Sequence, residues 1–221
     1  IECCKVINQG INIDQFPPKS EIGKISNPTR ILYAGQFHHY KGVHTLLDAA
    51  EIIARRGYDI RVSLYGCGDE DYTRMLKTKA EKLDLPVDFC GRVPRDELSS
   101  VYRSHDIFVF PSIWSEPFGL TNLEAMASGT PIVSTADGGH GEMLEDRINS
   151  MIFPKGDAQA CSNRICELID NPDLAQKIAT RARREVEMSF SFTRYCDQIE
   201  NELFSCPELK SGIAQFQFDR S

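Results

Sequence analysis

Two acidic residues in one short segment of the chain stand where they could bind a ligand together. Glu116 lies in a loop with Pro117 and Gly119, and Glu124 lies inside the helix that this loop is predicted to open. N–H groups in the first turn of a helix have no partner within that helix, and they point outward with the positive end of its dipole. The segment therefore predicts a site for an anion such as a diphosphate, and a carboxylate deeper in the helix suits the hydroxyls of a ribose.

The backbone N–H groups of Leu120 and Thr121 are the expected phosphate donors, because they follow Gly119 directly. A glycine at the helix start lets a ligand approach the backbone closely. A simpler explanation stays open at this point. Acidic residues are common near helix starts because they complement the dipole, and glycine-containing turns between strand and helix occur in any α/β domain.

Two further junctions between a predicted strand and a predicted helix contain glycines, at residues 35–42 (G-Q-F-H-H-Y-K-G) and 66–69 (G-C-G-D). Lys41 in the first of them is a candidate phosphate partner, although a lysine at a helix start is usually solvated. His38 and His39 are adjacent, which is poor geometry for one metal ion, so they are interpreted as loop residues.

Two further aromatic side chains, His140 and Trp114, lie near these junctions. His140 lies in a glycine-rich junction of its own and could line the same crevice. Trp114, the single tryptophan, precedes the acidic segment and is expected to pack the loop, since a large aromatic ring buries much surface.

Short apolar runs alternate with amphipathic stretches from residue 30 onward, which favours right-handed strand–helix–strand units and a parallel sheet. Strands are predicted at 30–34, 60–65, 87–90, 107–110, 131–134 and 150–153. Helices are predicted at 41–56, 69–83, 94–104, 119–128, 141–145, 157–169, 172–188 and 192–204. The predicted fold is a Rossmann-like, doubly wound α/β domain in which ligands bind where strands end and helices begin.

The domain boundaries follow from the composition along the chain. Residues 1–28 are interpreted as an inter-domain linker and entry segment, 29–204 as the ligand-binding domain with its C-terminal helices, and 205–221 as a polar tail. Ile1 opens the sequence in place of a methionine, so the chain is expected to be part of a longer protein.

The composition is that of an ordinary globular protein of 221 residues, with a formal net charge of −7. A negative charge argues against a dedicated nucleic-acid binder, which usually carries a basic face. No apolar run reaches the roughly 18–20 residues of a membrane span, and no secretory signal pattern opens the chain. The eight cysteines lack zinc-site spacing and are interpreted as reduced thiols in a cytoplasmic protein.

Residues 116–124 (E-P-F-G-L-T-N-L-E) resemble the E-x7-E signature of retaining glycosyltransferases, specifically glycosyltransferase family 4 with the GT-B fold. Further motifs of that family are matched in the same order, at residues 7–12, 110–112, 124–133, 138–142 and 156–157. The resemblance covers residues 6–204. It implies that this chain is the C-terminal, donor-binding half of a two-domain enzyme.

The resemblance also implies roles for individual residues. Glu116 would hold hydroxyls of the donor sugar and Lys41 would neutralise the phosphates, and these two are the expected catalytic residues. Residues near Gly66 and Arg92 would border the nucleobase. The expected donor-binding residues are Gln36, Gly66, Gly68, Arg92, Phe118, Gly119, Leu120, Thr121 and Glu124.

The implied reaction moves a hexose from a UDP-, GDP- or ADP-sugar to an unknown acceptor, with retention and with no metal or cofactor. Negative charge grows on the diphosphate, and preorganised donors aimed at it lower the barrier. The acceptor domain is expected in a missing N-terminal half, as is any association with a membrane surface, so this chain alone is predicted to be inactive. The sequence departs from the family at Gln36, where an arginine is usual.

Two alternatives remain open from the sequence. One is a nucleotide-sugar-binding module that has lost transfer activity, which Gln36 favours and the intact Glu116, Lys41 and Glu124 disfavour. The other is a GT-B-type sugar-nucleotide epimerase on the same architecture.

Overall fold

One parallel sheet of six strands forms the centre of the computed structural model, which describes residues 5–205. The strands are β1 (Thr29–Ala34), β2 (Ile60–Tyr65), β3 (Val87–Gly91), β4 (Ile107–Phe110), β5 (Ile132–Ser134) and β6 (Met151–Ile152). Their spatial order is β3-β2-β1-β4-β5-β6, and every pair is parallel. The strand order reverses between β1 and β4, so a crevice opens at the carboxyl ends of these two strands.

Seven α-helices complete the described fold. They are α1 (Val43–Arg55), α2 (Glu70–Lys82), α3 (Leu98–Ser104), α4 (Leu120–Ala127), α5 (Ala158–Asp170), α6 (Pro172–Ser189) and α7 (Phe192–Ser205). Asp69 caps α2 by accepting a hydrogen bond from the N–H of Tyr72 at 2.7 Å, and Asp157 caps α5 in the same way through Ala160 at 2.8 Å. These caps satisfy N–H groups that the helices leave unpaired.

The core lies on both faces of the sheet. Successive residues of β1 alternate between two clusters, because side chains of a strand point to opposite faces. Ile31 and Tyr33 pack in the cluster that includes residues of α1, α2 and α5. Leu32 and Ala34 pack in the cluster that includes residues of α3, α4 and α6. The predicted doubly wound α/β fold is therefore confirmed.

Three predicted helices differ from the structure by more than one residue at an end. The first begins at Val43 rather than residue 41, because Gly42 adopts a left-handed conformation (φ 69°) and residues 39–41 form a 3-10 turn. The third begins at Leu98 rather than residue 94. The stretch predicted at 141–145 is a 3-10 turn at Gly139–Glu142.

Residues 17–28, predicted to be part of a linker, pack on the domain. The N–H of Gly23 donates to Gly129 O at 3.3 Å, and a Cβ on Gly23 would lie 2.4 Å from Gln176 Cα. The preceding Phe16 is buried. The domain boundary at residue 28 stays a prediction. At the other end α7 continues to Ser205, and the rest of the predicted tail lies outside the described residues.

Candidate functional site

The loop after β4 and the helix α4 form one wall of the crevice. Gly119 stands immediately before α4 in a left-handed conformation (φ 77°), which an L side chain adopts only with strain. The N–H of Asn122 donates to Gly119 O at 2.9 Å. Among the described residues, the N–H groups of Leu120 and Thr121 have no hydrogen-bond acceptor, as expected in a first helical turn. This end of α4 offers two free donors and a positive dipole to an anion.

Glu116 and Lys41 form a direct ion pair at the switch point of the sheet. Lys41 Nζ donates to Glu116 Oε1 at 2.7 Å and to Oε2 at 2.9 Å. Ser112 Oγ donates to the same Oε1 at 2.7 Å. The side chain of Glu116 is 6% exposed and that of Lys41 is 20% exposed. The pair is therefore shielded from water, and the orientation of each partner depends on the other.

The loop after β5 supports the backbone of Glu116. The N–H of Gly139 donates to Glu116 O at 2.8 Å, and the N–H of Glu116 donates to Asp137 O at 3.1 Å. A Cβ on Gly139 would lie 1.9 Å from Pro117 O, and one on Gly138 would lie 2.5 Å from Glu116 O. Only glycine fits at these two positions, so the glycine pair is explained by backbone packing against the acidic loop.

Glu124 lies more than one turn inside α4, with a different partner. The phenol of Tyr102 donates to Glu124 Oε2 at 2.9 Å. Burial raises the pKa of Glu124, while the hydrogen bond from Tyr102 and the charge of Arg95 act in the opposite direction. The pKa of Tyr102 lies well above its usual range because the side chain is fully buried. Tyr102 thus stays protonated and donates to a carboxylate.

A cleft of about 380 Å³ brings several predicted residues together. It is bounded by the loops after β1, β2 and β3 and by the first turns of α4. Five of the predicted donor-binding residues line it, namely Gln36, Gly66, Arg92, Thr121 and Glu124. The Nε of Arg92 lies 2.7 Å from Cys67 Sγ, and Tyr33 donates to the backbone oxygen of Gln36 at 2.8 Å.

Four predicted residues, including Gly66 from the cleft lining, contribute through their backbone rather than through a side chain. A Cβ on Gly66 would lie 1.8 Å from Gly35 O, and one on Gly68 would lie 2.3 Å from Phe37 O, so both glycines admit the loop after β1. The ring of Phe118 packs against the second core cluster, with its centroid 6.1 Å from that of Phe190. Phe118 and the exposed Leu120 can therefore contact a ligand in the crevice through their backbone groups.

His140 differs from the expectation, Trp114 packs on its loop only in part, and His38 and His39 lie between β1 and α1 as the sequence predicts. His140 is fully buried behind Gly119, with Nε2 2.8 Å from Thr135 O, and does not line the cleft. Trp114 is 53% exposed and touches Tyr40, with ring centroids 6.0 Å apart. Within residues 5–205, no group of three His, Cys, Asp or Glu side chains could hold a metal ion. The ring of His39 stacks on His44 instead, with centroids 4.6 Å apart.

Sequence reasoning missed three hydroxyl groups beneath the site, those of Tyr33, Tyr102 and Ser112. Each is buried and hydrogen-bonds a predicted site residue. Tyr33 lies in an apolar strand, where an aromatic residue is usually core, and Tyr102 lies beside Val101 in a helix that is otherwise mostly polar. The sequence does give one signal for the two tyrosines, because a tyrosine hydroxyl that is buried needs a hydrogen-bond partner.

The cysteines and the membrane prediction can be checked for the described part of the chain. The five cysteines within residues 5–205 are free thiols, at positions 67, 90, 161, 166 and 196. In the same part of the chain, every helix is too short or too polar to cross a bilayer.

Comparison with known proteins gives three consistent matches. The putative glycosyltransferase YtcC of Bacillus subtilis is 27% identical over 208 residues, covering 86% of this chain and 51% of that protein. Anabaena Alr3699/HepE, solved in complex with UDP, superposes with a TM-score of 0.83 at 26% identity, covering 91% of this chain and 57% of that one. This chain spans about half the length of the curated relatives it matches.

A third match concerns a single domain. The C-terminal domain of a glycosyl transferase group 1 protein (LpcC) from Francisella tularensis superposes with a TM-score of 0.74 at 26% identity. The match covers 82% of this chain and 99% of that structure. A family model described as glycosyl transferases group 1 matches residues 15–185, which is most of the described domain. The chain belongs to the glycosyl transferases group 1 family.

Proposed function

We propose that this chain is the donor-binding domain of a retaining glycosyltransferase of family 4, which moves a hexose from a nucleoside-diphosphate sugar to an acceptor. The observation that carries the proposal is the joint presence, at one sheet switch point, of the free α4 N-terminus, the Lys41–Glu116 pair and Glu124. The relative Alr3699/HepE has been solved with UDP and with UDP-glucose, which supports a uridine nucleotide as the first donor to test.

In the proposed complex, the diphosphate lies against the first turn of α4. The free N–H groups of Leu120 and Thr121 donate to its oxygens, and Lys41 supplies a positive charge from the opposite wall. Glu124 accepts hydrogen bonds from the ribose hydroxyls. Glu116 accepts hydrogen bonds from hydroxyls of the sugar, while its own pairing keeps Lys41 directed into the crevice.

The proposed reaction breaks the bond between the anomeric carbon and the diphosphate oxygen. The bonding electrons go to that oxygen, where the helix N-terminus and Lys41 stabilise the growing charge. The acceptor hydroxyl attacks from the face that the nucleotide leaves, and its proton passes to the departing phosphate, so the anomeric configuration is retained. The acceptor site belongs to a second domain, and this chain alone is proposed to bind donor without transferring sugar.

A thermal-shift panel tests the proposal. UDP-, GDP- and ADP-glucose are titrated against the chain and against Glu124→Ala, with Glu81→Ala on the exposed face of α2 as a matched control. A ligand at 100 times its Kd stabilises a folded domain by about 2.7 kcal/mol. One nucleotide sugar is expected to raise the Tm of the chain and of Glu81→Ala, and to act far more weakly on Glu124→Ala. Absence of any shift at millimolar ligand would overturn the proposal.

The exposed neutral side chain at Gln36 supports a second candidate, a module that binds nucleotide sugars without transfer. The full-length protein separates the two. Incubated with the donor found above and a mixture of acceptors, a transferase releases free nucleoside diphosphate in step with a glycosylated product. A binding module releases none, and an epimerase converts the sugar without needing an acceptor.

A further inference from the structure

The buried phenol of Tyr102 lies directly beneath the carboxylate of Glu124, on the neighbouring helix α3. Its hydroxyl donates to Glu124 Oε2 at 2.9 Å. Among the described residues, Oε1 of Glu124 has no hydrogen-bond partner, and the residue lines the cleft. The carboxylate therefore has one oxygen fixed from below and one available to a ligand.

Tyr102 is held so that its hydroxyl has little freedom to move. Its ring meets those of Phe16 and Phe108 edge-on, with centroids 6.2 and 5.5 Å away. Its backbone oxygen accepts a hydrogen bond from Thr130 Oγ1 at 2.9 Å. The side chain is fully buried, and a packed aromatic ring in a core keeps one rotamer.

No cation within residues 5–205 forms a salt bridge with Glu124, in contrast to Glu116. Arg95 acts on Glu124 only through its charge, without a hydrogen bond. The single neutral donor at Oε2 leaves Oε1 of Glu124 free to accept from a ligand. Fixing one oxygen also removes side-chain freedom before the ligand arrives, which favours binding.

We infer that Tyr102 is a positioning residue for donor recognition, which orients the Glu124 carboxylate so that Oε1 faces the ribose hydroxyls of the nucleotide. This inference rests on the proposed function, since it needs Glu124 to bind the ribose. It predicts that Tyr102 affects the discrimination between a ribose and a ribose without hydroxyls, and has little effect on contacts to the diphosphate.

The test compares the affinities of UDP and 2′,3′-dideoxy-UDP by calorimetry on the chain and on Tyr102→Phe. The chain is expected to favour UDP, and Tyr102→Phe is expected to lower that preference about tenfold, as the loss of one hydrogen bond to a charged group does. Tyr58→Phe is the matched control, because Tyr58 donates to the carboxylate of Asp170 at 2.8 Å on a distant surface. The control is expected to keep the full preference.

A pH profile gives a readout that simple loss of packing would not move. The hydrogen bond from Tyr102 lowers the pKa of Glu124 against the effect of burial, so its loss raises that pKa further. Within residues 5–205, the titratable or charged groups that act on Glu124 are Tyr102 and Arg95. The weakening of UDP binding on acidification is therefore expected to begin at a higher pH in Tyr102→Phe.

The outcomes separate the two proposals. If Tyr102→Phe keeps both the preference and the pH profile while Glu124→Ala loses the preference, the positioning role is wrong and the proposed donor site stands. If the chain itself does not distinguish the two nucleotides, the ribose role of Glu124 fails and the positioning role fails with it.

Should Tyr102→Phe not fold, Glu124→Asp replaces it, since the shorter side chain cannot reach both the phenol and the ribose. A full preference in Glu124→Asp overturns the inference.

Discussion

The two ends of the 116–124 segment each carry a buried carboxylate, but the two carboxylates have different kinds of hydrogen-bond partner. Glu116, in the loop, is paired with the cation of Lys41 and accepts a second hydrogen bond from Ser112. Glu124, in the helix, accepts from the neutral phenol of Tyr102, and burial raises its pKa. One carboxylate is thus tied to a charge that the site uses, while the other keeps one oxygen free for a ligand.

This difference shows how one signature separates two tasks. A carboxylate paired with a lysine directs that lysine and keeps its own charge compensated in a water-poor place. A carboxylate held by a neutral donor stays a good acceptor for hydroxyls. Substitutions at the two carboxylates and at the residues around them are expected to separate these two tasks.

Lys41→Met is expected to have the largest effect, a loss of about 2–4 kcal/mol in the free energy of unfolding, because it leaves Glu116 buried without a cation. Urea denaturation at pH 7 measures the loss. Arg74→Met is the control, since Arg74 pairs with Asp71 where both side chains are largely exposed, and it should cost less than about 1 kcal/mol. Equal losses in the two variants would contradict the shielding of the Lys41–Glu116 pair.

Gly119→Ala tests the short stretch that separates the two carboxylates. The left-handed backbone there costs an L residue about 1–2 kcal/mol, and a Cβ would lie 3.2 Å from Asn122 Nδ2 and from His140 Cβ. Gly57→Ala is matched in backbone conformation (φ 85°), but nothing lies within 4 Å of its Cβ. Both variants are expected to lose stability, and UDP binding should fall in Gly119→Ala alone. Unchanged UDP binding would remove the start of α4 from the proposed site.

Gln36→Arg adds a cation to the cleft without disturbing the backbone, whose oxygen at this residue is held by Tyr33. A charge-assisted contact to phosphate at this exposed position is expected to tighten UDP binding by about three- to tenfold. The gain should shrink at high salt, which screens exposed charges. Calorimetry at low and at high salt, about 50 and about 500 mM NaCl, measures the gain in UDP affinity and its dependence on salt. A gain that salt does not reduce would speak against a phosphate near Gln36.

Glu124→Gln is expected to have the smallest effect, with a sign opposite to that of Glu116→Gln. Because the pKa of Glu124 is raised in the folded chain, its contribution to stability is present below the unfolded pKa and is lost as pH rises through the folded value. Glutamine does not titrate, so Glu124→Gln should gain less than about 1 kcal/mol at pH 7 and nothing at pH 4. Glu116→Gln should lose stability at pH 7, since Lys41 is left without its partner. Thermal unfolding of both variants at the two pH values checks the signs.

Much of the fold could be predicted from the sequence because its signals are local. The apolar runs at 30–34, 60–65 and 107–110 all became strands of the parallel sheet. The start of α4 was also predicted correctly, since Pro117 and Gly119 interrupt the chain directly before it. The predicted starts of two other helices, α1 and α3, are less accurate. The sequence pattern predicts Gly42 inside a helix, whereas its left-handed conformation makes it the boundary between a 3-10 turn and α1.

The residues that could bind an anion are predictable from the sequence, because a glycine before a helix and two carboxylates occupy neighbouring positions. The partners that hold these residues in place come from distant parts of the chain. The strand order places β1 beside β4, which brings Lys41 to Glu116 across 75 positions of sequence. Packing of α3 against α4 brings Tyr102 beneath Glu124. These contacts depend on which elements become neighbours and on where each side chain points, and neither is encoded within a local stretch of residues.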